Sequence, residues 1–209
     1  MQIRRTANAG VLLKLDGVEI LLDGVCREVK PYSATPPEEI IRLEANLPQV
    51  VAFTHNHKDH YDPVFAAKYQ KQTDGIVLTA DTNPSPICVN NVKITPVPSR
   101  HLGAAGKTTS HVSYVVEGSK CVWFMGDAAP LQWRNREDLP KPDVIIAPYA
   151  YANTPASWQL TKSIGAQFII LLHLPERNLD EAGLYDSVIQ TTCNSEELII
   201  LDMGEDIII

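Results

Sequence analysis

The chain has 209 residues, a composition typical of globular proteins and a formal net charge of −7, with a pI near 5.3. This length accommodates one sizeable core and no linker-like segment divides it, so we expect a single domain over residues 1–209. The acidic balance argues against nucleic acid as the main partner, because such binding depends on clustered lysine and arginine. We therefore expect a small-molecule substrate.

The distribution of apolar residues and cysteines bears on the cellular compartment. The apolar runs are strand-sized and do not approach the roughly 20 residues of a membrane helix, so no membrane insertion is expected. The first residues do not resemble a secretory leader, and the four cysteines are widely spaced without a CxxC pair. These features predict a cytoplasmic protein with reduced thiols. The oligomeric state is left open, since the apolar last strand could pair with a second subunit.

The first half of the chain is predicted to contain a hairpin, two helices and a strand between the helices. Asp16-Gly17 suits a type I′ turn between the runs GVLLKL and VEILLD. Residues 25–37 are irregular and rich in proline, and a helix follows in PPEEIIRLEANL. Next come a strand over residues 50–54 and a helix that begins at Asp62-Pro63, where Asp is the cap and Pro occupies the first turn.

The second half is predicted to be richer in strands. Alternating apolar residues indicate strands in GIVLTA, VKITPVP, HVSYVVEG and KCVWFMGD. Then follow the strand DVIIAP, the helix TPASWQLTKSIG, the strand QFIILLHL, a helix over residues 179–191 and a final hairpin in ELIILDMGEDIII. Many strands with about four helices predict a layered α/β domain in which helices cover sheets.

Histidine and aspartate are concentrated in VVAFTHNHKDHYDP, which holds three of the six histidines. His55 and His57 are two residues apart, so an extended chain places both rings on one side. Asp59 and His60 follow where the chain turns toward the next helix, so this pair can bind a second ion while the first pair binds one. Imidazole and carboxylate without thiolate indicate zinc, iron or manganese, with coordination positions left open for water.

The segment THNHKDHYD matches the HxHxDH signature of the metallo-β-lactamase superfamily, and the chain resembles that family over nearly its whole length. Three later motifs have counterparts there: PVPSRH with His101, VWFMGDA with Asp127 and IILLHL with His173. The resemblance implies a four-layer αββα sandwich with a binuclear site in the cleft between the sheets. It further implies one metal held by His55, His57 and His101, a second held by Asp59, His60 and His173, and Asp127 as the bridge between them.

The same resemblance implies the chemistry of the site. Two divalent ions would share a nucleophilic hydroxide, which Asp59 would orient and whose proton it would accept. Zinc is expected first, with manganese or iron as alternatives. His111 competes with His101 as a ligand, but His111 opens the next strand and has no irregular loop to aim it. The alternative roles of Asp127 and His173 are a turn-forming aspartate and a hydrogen-bonded histidine at a strand end.

Two positions narrow the function within the superfamily. Asp127 stands where true β-lactamases of this fold generally have cysteine, and His57 stands where flavodiiron oxidases have glutamate. The chain looks like the compact branch that includes L-ascorbate-6-phosphate lactonase, because Asp23 directly follows the hairpin. This implies a metal-dependent hydrolase that cleaves a lactone, ester or phosphodiester. The alternatives are a mononuclear iron-dependent oxygenase, similar to persulfide dioxygenases, and a binding protein on a decayed hydrolase fold.

Substrate contacts are expected from the loops around the site. Arg100, beside His101, could pair with a phosphate or carboxylate, although an ion pair in solvent explains this arginine equally well. Tyr149 and Tyr151 follow a strand that is predicted to end at the cleft, and their alternative role is packing. Residues 25–37, with Tyr32 as a wall, are either a lid over the site or an ordinary surface loop.

Overall fold

The computed structural model describes residues 1–82, 85–103 and 108–209 and shows two β-sheets flanked by helices. The described strands are β1 Gln2–Arg5, β2 Val11–Leu15, β3 Val18–Leu22, β4 Val50–Phe53, β5 Ile76–Thr79, β6 Ile87–Val89, β7 Val92–Pro98, β8 Val112–Glu117, β9 Cys121–Phe124, β10 Val144–Pro148, β11 Phe168–Leu172, β12 Leu198–Ile200 and β13 Asp206–Ile208. The described α-helices are α1 Pro37–Ala45, α2 Pro63–Gln72, α3 Pro155–Ser163 and α4 Leu184–Thr192. No helix within these ranges combines the length and apolar character that crossing a bilayer requires.

Both sheets are mixed, with a parallel half and an antiparallel half. The first has the strand order β13-β1-β2-β3-β4-β5, in which β3, β4 and β5 are parallel to one another. The second has the order β12-β11-β10-β9-β8-β7-β6, in which β9 to β12 are parallel. The parallel halves explain the nearly continuous apolar runs of these segments, since parallel strands are covered on both faces.

Three apolar cores stack the elements into four layers. Alternate residues of the strands point into a core between the two sheets, where Leu13 and Ile20 pack with Phe124. The intervening residues face the helices: Leu21 belongs to a core with α1 and α2, and Trp123 to a core with α3 and α4. The order helix, sheet, sheet, helix confirms the predicted α/β fold, a four-layer αββα sandwich.

Two local predictions of chain reversal and helix initiation are confirmed. Asp16 and Gly17 both have positive φ, 50° and 81°, as the turn between β2 and β3 requires. Asp62 caps α2, because its Oδ1 accepts a hydrogen bond from Val64 N at 2.7 Å and Pro63 occupies the first turn. These signals depend only on neighbouring residues, and so they could be read directly from the chain.

The predicted C-terminal hairpin is wrong. The segment ELIILDMGEDIII contains a tight turn, in which Glu205 N donates to Asp202 O at 3.0 Å. The strands on either side of the turn do not pair with each other, because β12 lies parallel to β11 in the second sheet and β13 lies antiparallel to β1 in the first. The turn therefore carries the chain from one sheet to the other.

The boundary of the last helix and two short strands also differ from the prediction. Helix α4 begins at Leu184 rather than at residue 179, because the Asp180 carboxylate accepts hydrogen bonds from Leu184 N and Tyr185 N, each at 2.9 Å. Strands β1 and β6 have no counterpart in the sequence prediction. Both are short, and each is stabilised by pairing with a longer neighbour, β2 or β7.

The ends of several strands meet at one edge of the sandwich. Because β3 and β4 are parallel, Asp23 after the first lies beside Thr54 after the second. Asp127 and His173 follow the parallel strands β9 and β11 at the corresponding edge of the second sheet. A hydrogen bond from Val112 N to Thr54 O, 2.9 Å long, joins the two sheets here. This edge is where a layered α/β fold usually presents ligand-binding side chains.

Candidate metal centre

The side chains of the predicted ligand set converge at this edge, with Asp127 at the centre. Asp127 Oδ2 lies 3.5 Å from Nε2 of both His60 and His101, and 3.6 Å from Nε2 of His173. His173 Nε2 is also 3.3 Å from Asp59 Oδ2. These distances are longer than a good hydrogen bond, so the atoms surround a common space without satisfying one another.

Two triads within this cluster have the spacing of metal ligands. In each triad, one ligand atom per residue lies within 4.8 Å of the other two. The triads are His55, His57, His101 and Asp59, His60, His173. They coincide with the two groups of residues expected from the HxHxDH resemblance, so the structure brings all the predicted metal ligands together.

Asp23 orients two histidines of the HxHxDH segment. It is fully buried, and its Oδ2 lies 2.8 Å from His60 Nδ1 and accepts a 2.6 Å hydrogen bond from Thr54 Oγ1. Because the Thr54 hydroxyl donates its only proton to Asp23, it accepts from His55 Nδ1 at 2.9 Å. Both rings therefore carry a proton on Nδ1 and leave Nε2 free as a ligand atom. Asp23 also groups geometrically with these two rings, but its oxygens are already engaged.

His101 is oriented by its own neighbour and by the loop that holds Asp127. His101 Nδ1 donates to Leu102 O at 2.8 Å, which leaves Nε2 free. Leu102 N donates to Asp127 O at 2.8 Å, and Ala129 N donates to Arg100 O at 2.8 Å. These backbone hydrogen bonds fix the positions of the two segments relative to each other.

A glycine allows the Asp127 segment to approach the first sheet. Gly126 has φ +54°, and a Cβ at this position would lie 2.6 Å from the Thr54 side chain. Only glycine fits such a contact without movement of the backbone or of Thr54. The packing of Gly126 against Thr54 therefore places Asp127 directly opposite the histidines that Asp23 orients.

His111 has both ring nitrogens engaged in hydrogen bonds. Its Nε2 accepts from Asp127 N at 3.0 Å, so its Nδ1 carries the proton and donates to Ser99 Oγ at 2.7 Å. Ser99 in turn lies 3.0 Å from Ser113 Oγ, which donates to a backbone carbonyl. Burial lowers the pKa of His111 to about 3 and keeps the ring neutral. His111 is therefore suited to positioning Asp127 and has no ring nitrogen left to bind a metal. His101, by contrast, keeps Nε2 free as a ligand atom.

His173 is held by the chain near the N-terminus. Its φ is +62°, and its backbone N donates to Asn8 O at 3.0 Å. The buried Arg5 guanidinium donates through Nη2 to Asn8 O and to Leu174 O, at 3.2 and 2.9 Å. Arginine remains charged even though burial lowers its pKa. Arg5 thus connects Asn8, whose carbonyl accepts from His173 N, to Leu174, the residue after His173.

Many of the buried polar atoms in the centre have no hydrogen-bond partner within the described residues. These atoms are His55 Nε2, His60 Nε2, His101 Nε2, both ring nitrogens of His173 and Asp127 Oδ1. An unsatisfied buried polar atom costs about 1–3 kcal/mol, so a cluster of them indicates a missing partner. Imidazole nitrogen and carboxylate oxygen are ligands of divalent transition metals. The residues present therefore fit metal ions.

The charges of the centre are strongly coupled. Burial lowers the pKa of His55 far below its usual value and keeps that ring neutral. Burial also disfavours charge on His60, but Asp127 and Asp23 outweigh it and raise the pKa of His60 well above the usual value. Burial opposes ionisation of Asp127, yet His173 and His60 hold its pKa well below the usual range. A metal at His60 Nε2 would therefore displace a proton.

The two tyrosines predicted to contact substrate have different surroundings. Tyr149 is half-buried, and its ring centroid lies 6.5 Å from that of His173. Tyr151 is 0% exposed, and its hydroxyl donates to Ala128 O at 2.9 Å. The expectation that Tyr151 contacts substrate is therefore corrected, because its side chain packs in the core between the second sheet and its helices.

Arg100 and the segment 25–37 border the centre. Arg100 is exposed beside His101, and its backbone is paired with the Gln132 side chain, to which Arg100 N donates at 2.7 Å. Within the segment 25–37, Arg27 N donates to Lys58 O at 2.7 Å, which connects this segment to the HxHxDH turn. The segment is therefore close to the site, and its action as a lid stays a prediction.

Some residues that support the site were not assigned a role from the sequence. Asp23 and Thr54 each directly follow a strand, and this strand-end position is the sequence feature that could have indicated a role in the site for both residues. Ser99 and Arg5 carried no local signal, because their partners are distant in the chain. Their roles follow from contacts that only the folded chain makes.

Three comparisons relate the chain to known proteins. A family model described as a beta-lactamase superfamily domain matches residues 2–173. A possible metal-dependent hydrolase from Veillonella parvula DSM 2008 superimposes with a TM-score of 0.71 at 16% identity, over 99% of this chain and 98% of that chain. An isothiocyanate hydrolase from Delia radicum gut bacteria gives 0.69 at 16% identity, over 100% and 99%.

A third solved structure and the curated sequences complete the comparison. CmlA, a diiron β-hydroxylase from Streptomyces venezuelae, gives a TM-score of 0.65 at 12% identity, over 99% of this chain and 53% of that chain. No curated protein sequence matches the chain. At such low identities, the structural similarity shows a shared fold and does not assign a reaction.

Proposed function

Because the chain belongs to the β-lactamase superfamily, whose model matches residues 2–173, we propose that it is a hydrolase with a binuclear metal site. The observation that carries this proposal is the convergence of unpartnered histidine and aspartate atoms at one edge of the sandwich. The bond cleaved is a lactone, an ester or a phosphodiester. Zinc is the first candidate metal, since the donor set has no thiolate and leaves coordination open.

The proposed ligand assignment follows the two triads. His55, His57 and His101 would hold one ion, and Asp59, His60 and His173 would hold a second. Asp127 would contribute to both sites, because its Oδ2 lies 3.5–3.6 Å from nitrogens that belong to both triads. His111 is assigned a positioning role, because neither of its ring nitrogens is free.

When bound, the two ions would lower the pKa of a shared water and polarise the bond to be cleaved. Asp59 is the proposed proton acceptor. Burial opposes its ionisation, but His173, whose Nε2 lies 3.3 Å from Asp59 Oδ2, and the charge of His60 outweigh burial and lower the pKa of Asp59, so the carboxylate is ionised near neutral pH. Asp23 and Thr54 keep the rings of His55 and His60 in the tautomer that leaves Nε2 free.

The test combines metal analysis with a substrate panel. Protein loaded with zinc or manganese should contain two ions per chain and hydrolyse at least one member of a panel of lactones, aryl esters and aryl phosphodiesters. Asp127→Ala should lower metal content and turnover together. Turnover should fall at least about a hundredfold, because loss of a direct metal ligand should reduce activity at least as much as loss of a residue that only orients a ligand. Asp138→Ala, which changes an exposed carboxylate paired with Arg136, is the matched control and should behave as wild type.

Two outcomes would contradict the proposal. One is a single iron per chain together with oxygen consumption, which would favour the alternative function of a mononuclear iron-dependent oxygenase. The other is an Asp127→Ala variant that retains both ions and full turnover. Failure of the fully loaded protein on every member of the panel would favour a binding protein on this fold.

A further inference from the structure

A cavity of about 630 Å³ lies between the segment 25–37 and the segment that follows His173. Two of its lining residues also border the metal centre. The rings of Tyr32 and His173 pack in a T-shaped arrangement, with centroids 4.4 Å apart and planes at 89°, and Pro175 is two residues after His173. The volume is within the roughly 300–1,000 Å³ of small-molecule sites. The cavity is therefore adjacent to the reacting centre and large enough for part of a substrate.

Hydrogen bonds hold the two walls of the cavity in place. Ser33 Oγ donates to Glu176 Oε1 at 2.6 Å, which joins the segment 25–37 to the segment after β11. Tyr185 Oη donates to Pro175 O at 3.1 Å from the first turn of α4. Burial and the neighbouring Tyr149 raise the pKa of Tyr32, so its hydroxyl stays neutral. The cavity is thus a built feature that lies between connected walls.

The lining of the cavity is apolar with an excess of negative charge. Its apolar surface comes from Pro31, Pro175, Leu179, Ala182 and Leu184. Its charged groups are Glu28, Asp180 and Glu181 against Lys30. The Asp180 carboxylate also caps α4, where it accepts hydrogen bonds from Leu184 N and Tyr185 N. An anionic group in this cavity would therefore meet more repulsion than attraction.

We infer that the cavity receives an uncharged apolar substituent of the substrate, and that the enzyme therefore acts on neutral carboxylic esters or lactones rather than on phosphorylated or otherwise anionic ones. This inference rests on the proposed hydrolase function and deepens it by naming the substrate class. It disfavours the phosphorylated lactones that the sequence resemblance suggested. Tyr32 and Ala182 become specificity residues, the first on the side of the metal centre and the second on the cavity wall.

A series of p-nitrophenyl esters separates the contribution of the cavity from that of the chemical step. The acyl chains are acetate, hexanoate, an adipate monoester that ends in a carboxylate, and a chain of equal length that ends in trimethylammonium. Zinc-loaded protein should hydrolyse the hexanoate at least about tenfold better than the acetate in kcat/KM, since each buried methylene is worth up to about fourfold. The adipate monoester should be at least tenfold worse than the hexanoate, and the trimethylammonium ester should be better than the adipate.

A cavity-filling variant ties this preference to the cavity. Ala182 is exposed on the cavity wall, so Ala182→Trp should fold and occupy the space. The variant should lower the ratio of hexanoate to acetate kcat/KM about tenfold. Ala156→Trp, at an exposed position of α3 on a different surface groove, is the matched control and should keep the wild-type ratio.

Binding to metal-free protein gives a readout that does not depend on turnover. Hexanamide should shift NMR signals of residues that line the cavity, whereas the monoamide of adipic acid should not, and Ala182→Trp should abolish the hexanamide shifts. Hydrolysis of acetate and hexanoate at equal rates, or a preference for the adipate ester, would overturn the inference and leave the hydrolase function intact. Cleavage of a phosphodiester without hydrolysis of any ester or lactone would likewise overturn the inference alone, whereas absence of hydrolysis of every ester, lactone and phosphodiester would overturn the hydrolase function. In that case, hexanamide shifts that persist in Ala182→Trp would overturn the cavity assignment as well.

Discussion

The two sheets contribute to the metal centre in different ways. The first sheet supplies four ligand candidates within the six positions 55–60, and one buried carboxylate, Asp23, orients two of them. The second sheet supplies His101, Asp127 and His173 from three separate strand ends. Different partners position these three residues. His101 donates to Leu102 O, Asp127 is positioned by Gly126 and His111, and His173 N donates to Asn8 O.

The side chains of the first half of the site therefore form one connected network through Asp23, whereas each side chain of the second half is oriented by its own partners, although backbone hydrogen bonds join the His101 and Asp127 segments. A single change in the network should affect both metal positions, because His55 and His60 belong to different triads. A single change in the second half should affect one ligand and leave the others in place. Three pairs of variants test this comparison.

The largest effect is expected from Asp23→Asn. Asp23 accepts three hydrogen bonds, from Thr54 N, Thr54 Oγ1 and His60 Nδ1, but a carboxamide has one oxygen and so must direct its NH₂ at a donor. Loss of an outer-shell partner typically lowers metal affinity 10–100-fold, and here we expect a loss of about that size at both positions. Zinc competition with a chromophoric chelator measures the two affinities.

Asp16→Asn is the control for this change. Asp16 and Asp23 both have positive φ, 50° and 47°, but Asp16 lies exposed in the hairpin turn, where its side chain accepts hydrogen bonds from Ser119. Asn tolerates this backbone region, so neither variant should suffer strain. An Asp23→Asn protein that lost only one ion, or neither, would contradict the view of a connected network.

A smaller effect, on one metal position, is expected from His101→Ala. This variant should lose about one of the two ions, because it removes a free nitrogen from one triad. His111→Ala should keep both ions but lower the free energy of unfolding by about 1–3 kcal/mol, since Asp127 N–H and the Ser99 hydroxyl lose a buried partner. Metal content by mass spectrometry and urea unfolding of the metal-free proteins distinguish the two histidines. The reverse pattern would make His111 the ligand.

The smallest effect is expected from Gly126→Ala, with Gly17→Ala as its control. Both glycines have positive φ, 54° and 81°, so each substitution should cost about 1–2 kcal/mol of backbone strain, or roughly 2–8 °C in Tm for a chain of this size. Only the Cβ at residue 126 would contact Thr54, at 2.6 Å, while nothing lies within 4 Å at residue 17. Gly126→Ala should therefore also weaken metal binding, and equal metal affinity in the two variants would refute the proposed contact.

Predictions from the sequence agree with the structure where the interactions join residues close together in the chain, and they fail where the interactions join distant segments. The turn at Asp16-Gly17 and the cap at Asp62 depend on residues a few positions apart, and both are confirmed. The C-terminal segment shows the opposite case. The turn is present, but the strands on either side of it pair in different sheets, β13 with β1 and β12 with β11. The local sequence pattern does not reveal that β1 and β11 are available for pairing.

The ligand candidates divide in the same manner. The HxHxDH run and the strand-end positions of His101, Asp127 and His173 could be recognised from residue types and spacing. The corrected role of Tyr151 could not, because a tyrosine after a strand either faces the cleft or packs beneath it, and the hydrogen bond to Ala128 O decides between these positions. The cavity beside Tyr32 likewise arises from two loops that are more than a hundred residues apart.

Most of the elements, the layered fold and the residue types that converge on the centre could be predicted from the sequence, since apolar periodicity and turn chemistry act over a few residues. The folded chain settled which nitrogen of each ring is free, because the tautomers depend on Asp23, Thr54, Leu102 and Ser99, which the fold brings to the histidines. It also decided that Arg5 supports His173 from the far end of the chain. Hydrogen bonds between distant segments exist only once the sheets have packed together.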